Sequence, residues 1–366
     1  MSAPEQLQRV TRLLPVAEVI ARIAARAAPV APRALMGDAG MTAAADLRAA
    51  SAVPARAIAL RDGWAVAADA VSDAGPYSPV PLRAQWVDQG TPLPEACDAV
   101  LAPDAVTASG GSMQAVAAAA PGDGVLPAGA DATPAVPLRR AGARLRALDI
   151  AALRLAGLTE IAVRLPRIRL VATDAALHRG RDEIAGLVAR MIEGAATVVR
   201  SDDLEASLAR PDADAIVAIG GTGEGRNDRS VQLLARHGVV DVHGMALAPG
   251  ESAAFGGAGA CPVLLLPGRL DAALAVFLVI GRHLVARLAG GDAAANGTPL
   301  RLARKIASTV GLTELVPVAR ETDGLVPLAR GAIPLQALAR ADGYVLVPPE
   351  SEGFQAGASV EMHPFP

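Results

Sequence analysis

The residues best suited to chemistry lie between Asp214 and Ser230, which reads DAIVAIGGTGEGRNDRS. Ala215 to Ile219 is apolar and β-branched, the pattern of a fully buried strand. Gly220, Gly221, Gly223 and Gly225 follow, and glycine lets the backbone take positive φ and approach a ligand closely. Thr222, Glu224, Asn227 and Asp228 add polar groups where the strand ends. From Asp228 onward, Val231, Leu234 and Ala235 have helical spacing. A strand feeding a glycine-rich turn and a helix N-terminus can present backbone N–H groups to an anion or a nucleotide. The spacing is neither GxGxxG nor GK[ST], so the dinucleotide and P-loop fingerprints are absent. Two readings stay open, a binding loop and a plain strand-to-helix connection.

The elements that must position this turn follow from the periodicity around it. From Arg167 the pattern alternates. Strands are expected at Ile168 to Ala172, Thr197 to Arg200, Ala215 to Ile219, Val239 to Val242 and Val263 to Leu266. Helices are expected at Glu183 to Glu193, Leu204 to Ala209, Asp228 to His237 and Asp271 to Leu288. Strands alternating with helices predict a parallel, doubly wound sheet with ligands at the C-terminal strand ends. Upstream, residues 5 to 28 have helical spacing up to Pro29, and helical character resumes over Thr42 to Ala50. Residues 51 to 140 are rich in Pro and Gly and suit short strands, a small β domain inserted into a helical one. Leu148 to Ala156 reads as a helix stopped by Gly157. After a Gly- and Asn-containing linker, Leu315 to Val318, Leu325 to Leu328, Tyr344 to Val347 and Ser359 to Met362 read as strands of a small all-β module. The fold class is therefore multidomain α/β. Residues 1–166 form a helical domain with a β insertion at about 51–140, residues 167–292 the α/β domain, and residues 293–366 the C-terminal β domain.

Composition narrows the chemistry. The chain has 366 residues, 52% hydrophobic, 19% charged and only 2% aromatic, with a net charge of −3. Dispersed charge and few aromatic residues give no footprint for nucleic acid. Lys305 is the sole lysine, so a phosphate contact must come from arginine or backbone N–H. Cys97 and Cys261 are far apart, and the histidines, His178, His237 and His243 among them, show no metal-ligand spacing. No apolar run reaches the ~18 residues of a membrane span without an interrupting Arg, Asp, Gly or Pro. The N-terminus lacks a signal-peptide core, which makes the cytoplasm the default location.

Five segments in order carry a family resemblance. Arg61-Asp62-Gly63-Trp64-Ala65-Val66 resembles the "MDGYAV" segment of the MoeA/gephyrin-E family, the molybdopterin molybdenumtransferases. Gly90 to Val100 resembles "TGAPVPEGADAVV", and Gly220 to Asp228 resembles "GGVSVGDYD". Leu247-Ala248-Pro249-Gly250, Ala254-Phe255-Gly256 and Leu266-Pro267-Gly268 resemble "MKPGKPLAFG" and "GLPGNP", and Leu338 to Leu346 resembles "SLARANGLIVL". The resemblance implies a helical domain with a β insertion, a doubly wound α/β molybdopterin-binding domain and a small C-terminal β barrel. It also implies molybdenum cofactor biosynthesis: molybdate is inserted into adenylylated molybdopterin, AMP is released, and Mg²⁺ is required. A homodimer with its site near the dimer interface is expected, and a molybdoenzyme or another cofactor-biosynthesis protein is a candidate partner. Neither nucleic acid nor a membrane is implied.

Carried over position by position, the catalytic acids are Asp62, Asp131, Asp203 and Asp228, with Asp203 and Asp228 as metal ligands. Gly220, Gly221, Thr222, Gly223, Gly225, Arg226, Pro249, Gly250, Pro267, Gly268 and Arg269 form the cofactor-binding set. Each acid also has a plain structural reading. Asp203 suits a helix N-cap, Asp131 a turn, and Asp62 the position before a turn glycine.

The sequence departs from the family at several of these places. The "TGDEL" acid pair becomes Thr173-Asp174-Ala175-Ala176-Leu177, and the lysines around "KPGKP" become Gly244, Ala248 and Glu251. Each lost charge-assisted contact is worth ~1.5–3 kcal/mol. Arg226, Arg229 and Arg269 are the cations placed to compensate. Three functions follow: a molybdenumtransferase, a non-catalytic molybdopterin-binding or carrier paralogue, and a homo-oligomeric scaffold without ligand.

Overall fold

The computed structural model describes residues 8–109, 111–173, 180–293 and 297–365. The chain divides into two compact units: residues 1–44, 141–146 and 162–366, and residues 45–140 with 147–161. In the larger unit, six strands form one sheet: β1 (Arg167–Ala172), β2 (Thr197–Ser201), β3 (Ala215–Ile219), β4 (Val239–His243), β5 (Ala254–Ala258) and β6 (Cys261–Leu266). The order is β2-β1-β3-β6-β5-β4. Strands β2, β1, β3 and β6 are parallel, whereas β5 is antiparallel to both β6 and β4.

Side chains alternate between two buried faces, as the two-residue period of a strand requires. Ile168, Leu170, Val217, Ile219, Leu264 and Leu266 pack on one face with Val19, Ile23, Ile184 and Val188. Val171, Ile216, Ala218, Val263 and Leu265 pack on the other with Leu204, Leu208, Val231 and Leu234. Burial on both faces explains why these strands read as continuous apolar runs. The helix Leu270–Ala289 is long and apolar enough to cross a membrane, yet 78% of its most apolar window is buried inside the protein. The chain leaves β1 toward β2 at the sheet edge and then returns past β1 to β3. The C-terminal ends of β1 and β3 thus flank a topological switch point, where open α/β sheets bind ligands.

Three local expectations are corrected. Residues 8–15 are not helical, because the helix spans Val16–Arg26 with Pro15 at its N-cap. Proline cannot donate within a helix, and it disfavours helical geometry in the residue before it. The expected helix at Thr42 to Ala50 is absent, and Thr42–Ala43 is a strand paired with Val163 and Arg164. Here strand pairing overrides the helical preference of alanine. The sheet is mixed rather than parallel throughout, because Ala254–Ala258 adds a strand.

In the same unit, Thr313–Glu321, Gly343–Val347, Ser359–Pro364 and Thr298–Arg301 form a C-terminal sheet, with Gly324–Pro327 paired to the first of them. An isolated bridge between Leu302 and Leu325 draws its ends together over a core of Val316, Val318, Val345 and Met362. This sheet joins the α/β body through Leu247–Ala248, which pairs in parallel with Thr313 and Glu314.

The smaller unit holds Gly63–Val66 between Gln85–Val87 and Ala99–Leu101. A second sheet contains Val80–Leu82, Ser112–Ala115 and Val106–Ser109. Trp64 and Trp86 meet edge to face at 5.2 Å. The helix Ala147–Leu155 ends as expected, with Gly157 at φ 83° and its N–H on the Arg154 carbonyl.

The two thiols predict a chemical contrast. Burial, assisted by Asp214 and Asp212, pushes the Cys261 thiol up to about 11. Cys97 is only half-buried, and its thiol is raised less far, by burial and then by Asp98. Because the thiolate is the nucleophile, both react slowly at neutral pH. Timed alkylation with mass spectrometry is expected to label Cys97 first and Cys261 only on unfolding.

Candidate functional site

The glycine-rich turn closes β3 at the switch point. Gly220 and Gly221 take φ of 96° and 73°. A Cβ on Gly221 would stand 2.4 Å from Ser230 Oγ, so the turn requires glycine there. Four consecutive carbonyls are tied down. The Gly220 carbonyl accepts from Ser230 Oγ (2.7 Å), and that of Gly221 accepts from Ser230 N (2.9 Å) and Gln8 Nε2 (2.8 Å). The Thr222 carbonyl accepts from His243 Nε2 (3.0 Å), which makes that ring nitrogen the donor, and the Gly223 carbonyl accepts from Gln8 Nε2 (2.6 Å). Thr222, 1% exposed, also pairs its hydroxyl with Ser252 at 3.1 Å. Among the described residues, none accepts from the N–H groups of Thr222, Gly223 or Glu224. A row of such free N–H groups is the arrangement that binds anions.

Besides a smaller cleft of about 300 Å³ beside Ala172 and Ser201, two clefts of the described residues open at this end of the sheet. One, of about 550 Å³, lies at the switch point and is lined by Thr173, Asp202, Asp203, Glu205, Asn227, Arg229 and Ser230. The other, of about 820 Å³, is mostly apolar and lies between the α/β body and the C-terminal sheet, lined by Glu183, Gly268, Arg269, Asp271, Ile333 and Leu335. Arg269 is not a free cation. Its Nε and Nη2 donate to Asp271 at 3.1 and 2.8 Å, and Asp271 Oδ2 also accepts from Ile333 N at 2.9 Å. Asp271 is 4% exposed. Burial opposes its charge, but Arg269 and the N–H groups of Ile333 and Ala272 together hold its carboxyl below the usual range. The Asp271 pairing, with Glu251 adding to the field, raises the Arg269 guanidinium further. Glu251 also accepts from Gly250 N at 3.0 Å, beside the cis Ala248–Pro249 peptide.

Comparison with known proteins places the chain in a family. Residues 14–157 match the MoeA N-terminal region (domain I and II), and residues 299–365 match the MoeA C-terminal region (domain IV). The chain belongs to the MoeA family. The solved MoeA structure from Pyrococcus horikosii is 25% identical, with a TM-score of 0.74 over 97% of this chain and 100% of that one. A second, from Pyrococcus horikoshii OT3, shares the fold at 19% identity and a TM-score of 0.77, again over 97% and 100%. A Methanocaldococcus jannaschii protein named for molybdopterin biosynthesis is 30% identical over 151 residues. That match spans 41% of this chain and only 36% of the relative's length.

The family-aligned acids sit as follows. In the smaller unit, Asp62 is exposed and accepts from Gln89 N at 2.8 Å, while Asp131 is exposed in a turn after Gly129. In the larger unit, Asp203 caps the helix Leu204–Ala209 by accepting from Ala206 N at 2.9 Å. Asp228 folds back on the turn and accepts from Gly225 N at 2.9 Å. Each acid thus has a structural partner or place, and no group of three or more His, Cys, Asp or Glu is arranged for a metal among the described residues. The donor set does not form a preassembled magnesium cage, so no step is derived through that ion. Arg226 is exposed, Pro249, Gly250 and Pro267 are buried, and Gly268 borders the second cleft. Of the TGDEL-like segment, Asp174 to Leu177 lies outside the described residues, as does His178.

Sequence reasoning missed Gln8, Ser230, His243, Ser252 and Asp271. Asp271 left a local signal, standing two residues after Arg269, and Ser230 closes the glycine-rich stretch itself, ten residues from Gly220. Gln8, His243 and Ser252 reach the site through long-range pairing.

Asparagine caps a helix as well as aspartate does, whereas alanine costs ~1 kcal/mol. Asp203→Asn is therefore expected to leave the unfolding midpoint unchanged and Asp203→Ala to lower it. A loss of metal-dependent ligand binding in Asp203→Asn, at full stability, would assign Asp203 a ligand role beyond capping.

Proposed function

We propose that this MoeA-family chain acts in molybdenum cofactor biosynthesis, binding adenylylated molybdopterin and inserting molybdate into it with release of AMP. The observation that carries the reading is the glycine-rich turn at the switch point, with four carbonyls tied inward and the N–H groups of Thr222, Gly223 and Glu224 without an acceptor among the described residues. Those N–H groups would bind the phosphate oxygens, and the adjoining clefts would hold the pterin and exclude water. Asp203, which lines the cleft at the switch point, and Asp228, within the turn, are the proposed acids of this site, and Asp62 and Asp131 are proposed functional acids of the smaller unit.

One observation favours a second reading, in which the chain binds molybdopterin or finished cofactor as a carrier without turnover. Arg269, the cation expected to replace a family lysine, is engaged by Asp271, and Glu251 stands where a further lysine is expected. The deciding experiment supplies adenylylated molybdopterin, molybdate and Mg²⁺ to the full chain and follows AMP. Stoichiometric AMP release with molybdenum transfer supports the transferase, and saturable binding without AMP supports the carrier. Absence of any pterin binding rejects both.

We also propose a homodimer. The helix Ala147–Leu155 exposes an apolar stripe of Leu148, Ala151, Ala152 and Leu155, with Leu148 70% and Leu155 84% exposed. Such a stripe, on a helix that already buries Ile150 and Leu153 on its other face, suits a second copy of the chain. A monomeric mass by light scattering would reject this.

A further inference from the structure

The N-terminal segment ahead of the helix Val16–Arg26 runs as a strap across the α/β body. The Leu14 N–H donates to the Gly244 carbonyl at 3.1 Å, and Ala246 N donates to the Leu14 carbonyl at 2.7 Å. A Cβ at Gly244 would meet the Arg12 carbonyl at 2.3 Å, so the strap lies tightly against this loop. Further up the strap, Val10 N donates to Glu224 Oε1 at 2.9 Å. Gln8 is 7% exposed and gives both of its amide bonds to the glycine-rich turn, at the carbonyls of Gly221 and Gly223. Its orientation is chemically fixed. A flipped carboxamide would set oxygen against two carbonyl oxygens. Gln8 Oε1 is buried and has no partner among the described residues, so the side chain is held there by its donor end alone.

We propose that Gln8 is a positioning residue for the glycine-rich turn: by binding the Gly221 and Gly223 carbonyls it aims the Thr222 and Glu224 N–H groups outward, at an anionic ligand. Peptide planes carry N–H and C=O on opposite edges, so fixing the carbonyl inward fixes the N–H outward. The role rests on the reading of this turn as the molybdopterin phosphate cradle. It assigns the N-terminal strap, with Gln8 213 residues from Gly221 in sequence, to the construction of the site.

The test uses the full chain and two variants, Gln8→Leu and Gln8→Glu. Two readouts are taken, amide hydrogen exchange without ligand at the hydrogen-bonded amides of the turn, Gly220, Gly225, Asp228 and Ser230, and the affinity for adenylylated molybdopterin. Loss of two amide bonds in Q8L is expected to raise exchange about tenfold and weaken affinity about tenfold. In Q8E the carboxylate repels both carbonyls near neutral pH. Once protonated as pH falls, the carboxyl can donate one bond again. Protection and affinity in Q8E are therefore expected to recover, relative to Q8L, as pH falls. Wild-type exchange in Q8L would overturn the proposal, and so would equal behaviour of Q8E and Q8L at every pH. If the wild-type chain binds no adenylylated molybdopterin, the functional reading fails separately, while the exchange data still decide whether Gln8 positions the turn.

Discussion

Gly221→Ala is expected to destabilise the protein by about 2–3 kcal/mol and to abolish ligand binding at the turn. Two costs combine. Gly221 holds φ at 73°, a left-handed conformation that charges an alanine about 1–2 kcal/mol. The new Cβ would also stand 2.4 Å from Ser230 Oγ. Ser230 must then rotate away and give up its bond to the Gly220 carbonyl, which is worth about 1 kcal/mol. The adjacent control is Gly223→Ala. A Cβ there would meet Asp228 Oδ2 at 2.8 Å, the movable end of a side chain, and Gly223 has no positive φ. That variant is expected to lose about 1 kcal/mol, the worth of the Asp228 bond to Gly225 N. Denaturant midpoints for the two variants check the ordering, and equal losses would show that the turn is not constrained at Gly221.

Asp271→Ala carries the second large effect, about 2–3 kcal/mol, and most of it arises from one backbone group. The Arg269 side chain is 59% exposed, so the ion pair itself contributes little after solvent screening. The Ile333 N–H is buried and loses its charged acceptor, a bond in the range of about 1.5–3 kcal/mol. Asp271→Asn keeps an acceptor for Ile333 but removes the charge, so it isolates the electrostatic part. The folded-state carboxyl lies below its ordinary value, so its stabilisation is complete above the unfolded carboxylate range of about 3.9. It is lost as pH falls through the folded value. The acid limb of stability against pH is therefore expected to flatten in Asp271→Asn and to remain steep in the wild type. An unchanged limb would remove Asp271 from the acid response. In either variant Arg269 is released toward the apolar cleft, and a gain of pyrophosphate affinity would show that Asp271 had kept it from anions.

The parallel strands and the glycine-rich turn were legible because burial on both faces leaves an unbroken apolar run that stops at the glycines. The N-cap role of Asp203 was legible for a similar local reason. Ala254–Ala258 was not, because Gly256 and Gly257 depress strand propensity and read as loop. Its pairing explains them: a Cβ on Gly256 would meet the Val239 carbonyl at 2.0 Å. Gln8 was hidden behind a helical pattern that Pro15 interrupts, and its partners are 213 and 215 residues away in sequence. Arg269 was legible as a cation of a matched loop, but whether it was free to bind depended on Asp271 and Ile333, and thus on the docking of the C-terminal sheet.

The most direct measurement is amide hydrogen exchange over residues 221–225 of the full chain, titrated with adenylylated molybdopterin. Saturable slowing of exchange at Thr222, Gly223 and Glu224, absent from Gly221→Ala, is the expected result. No binding, or saturable binding that leaves those amides unprotected, would contradict the assignment of the turn as the molybdopterin cradle.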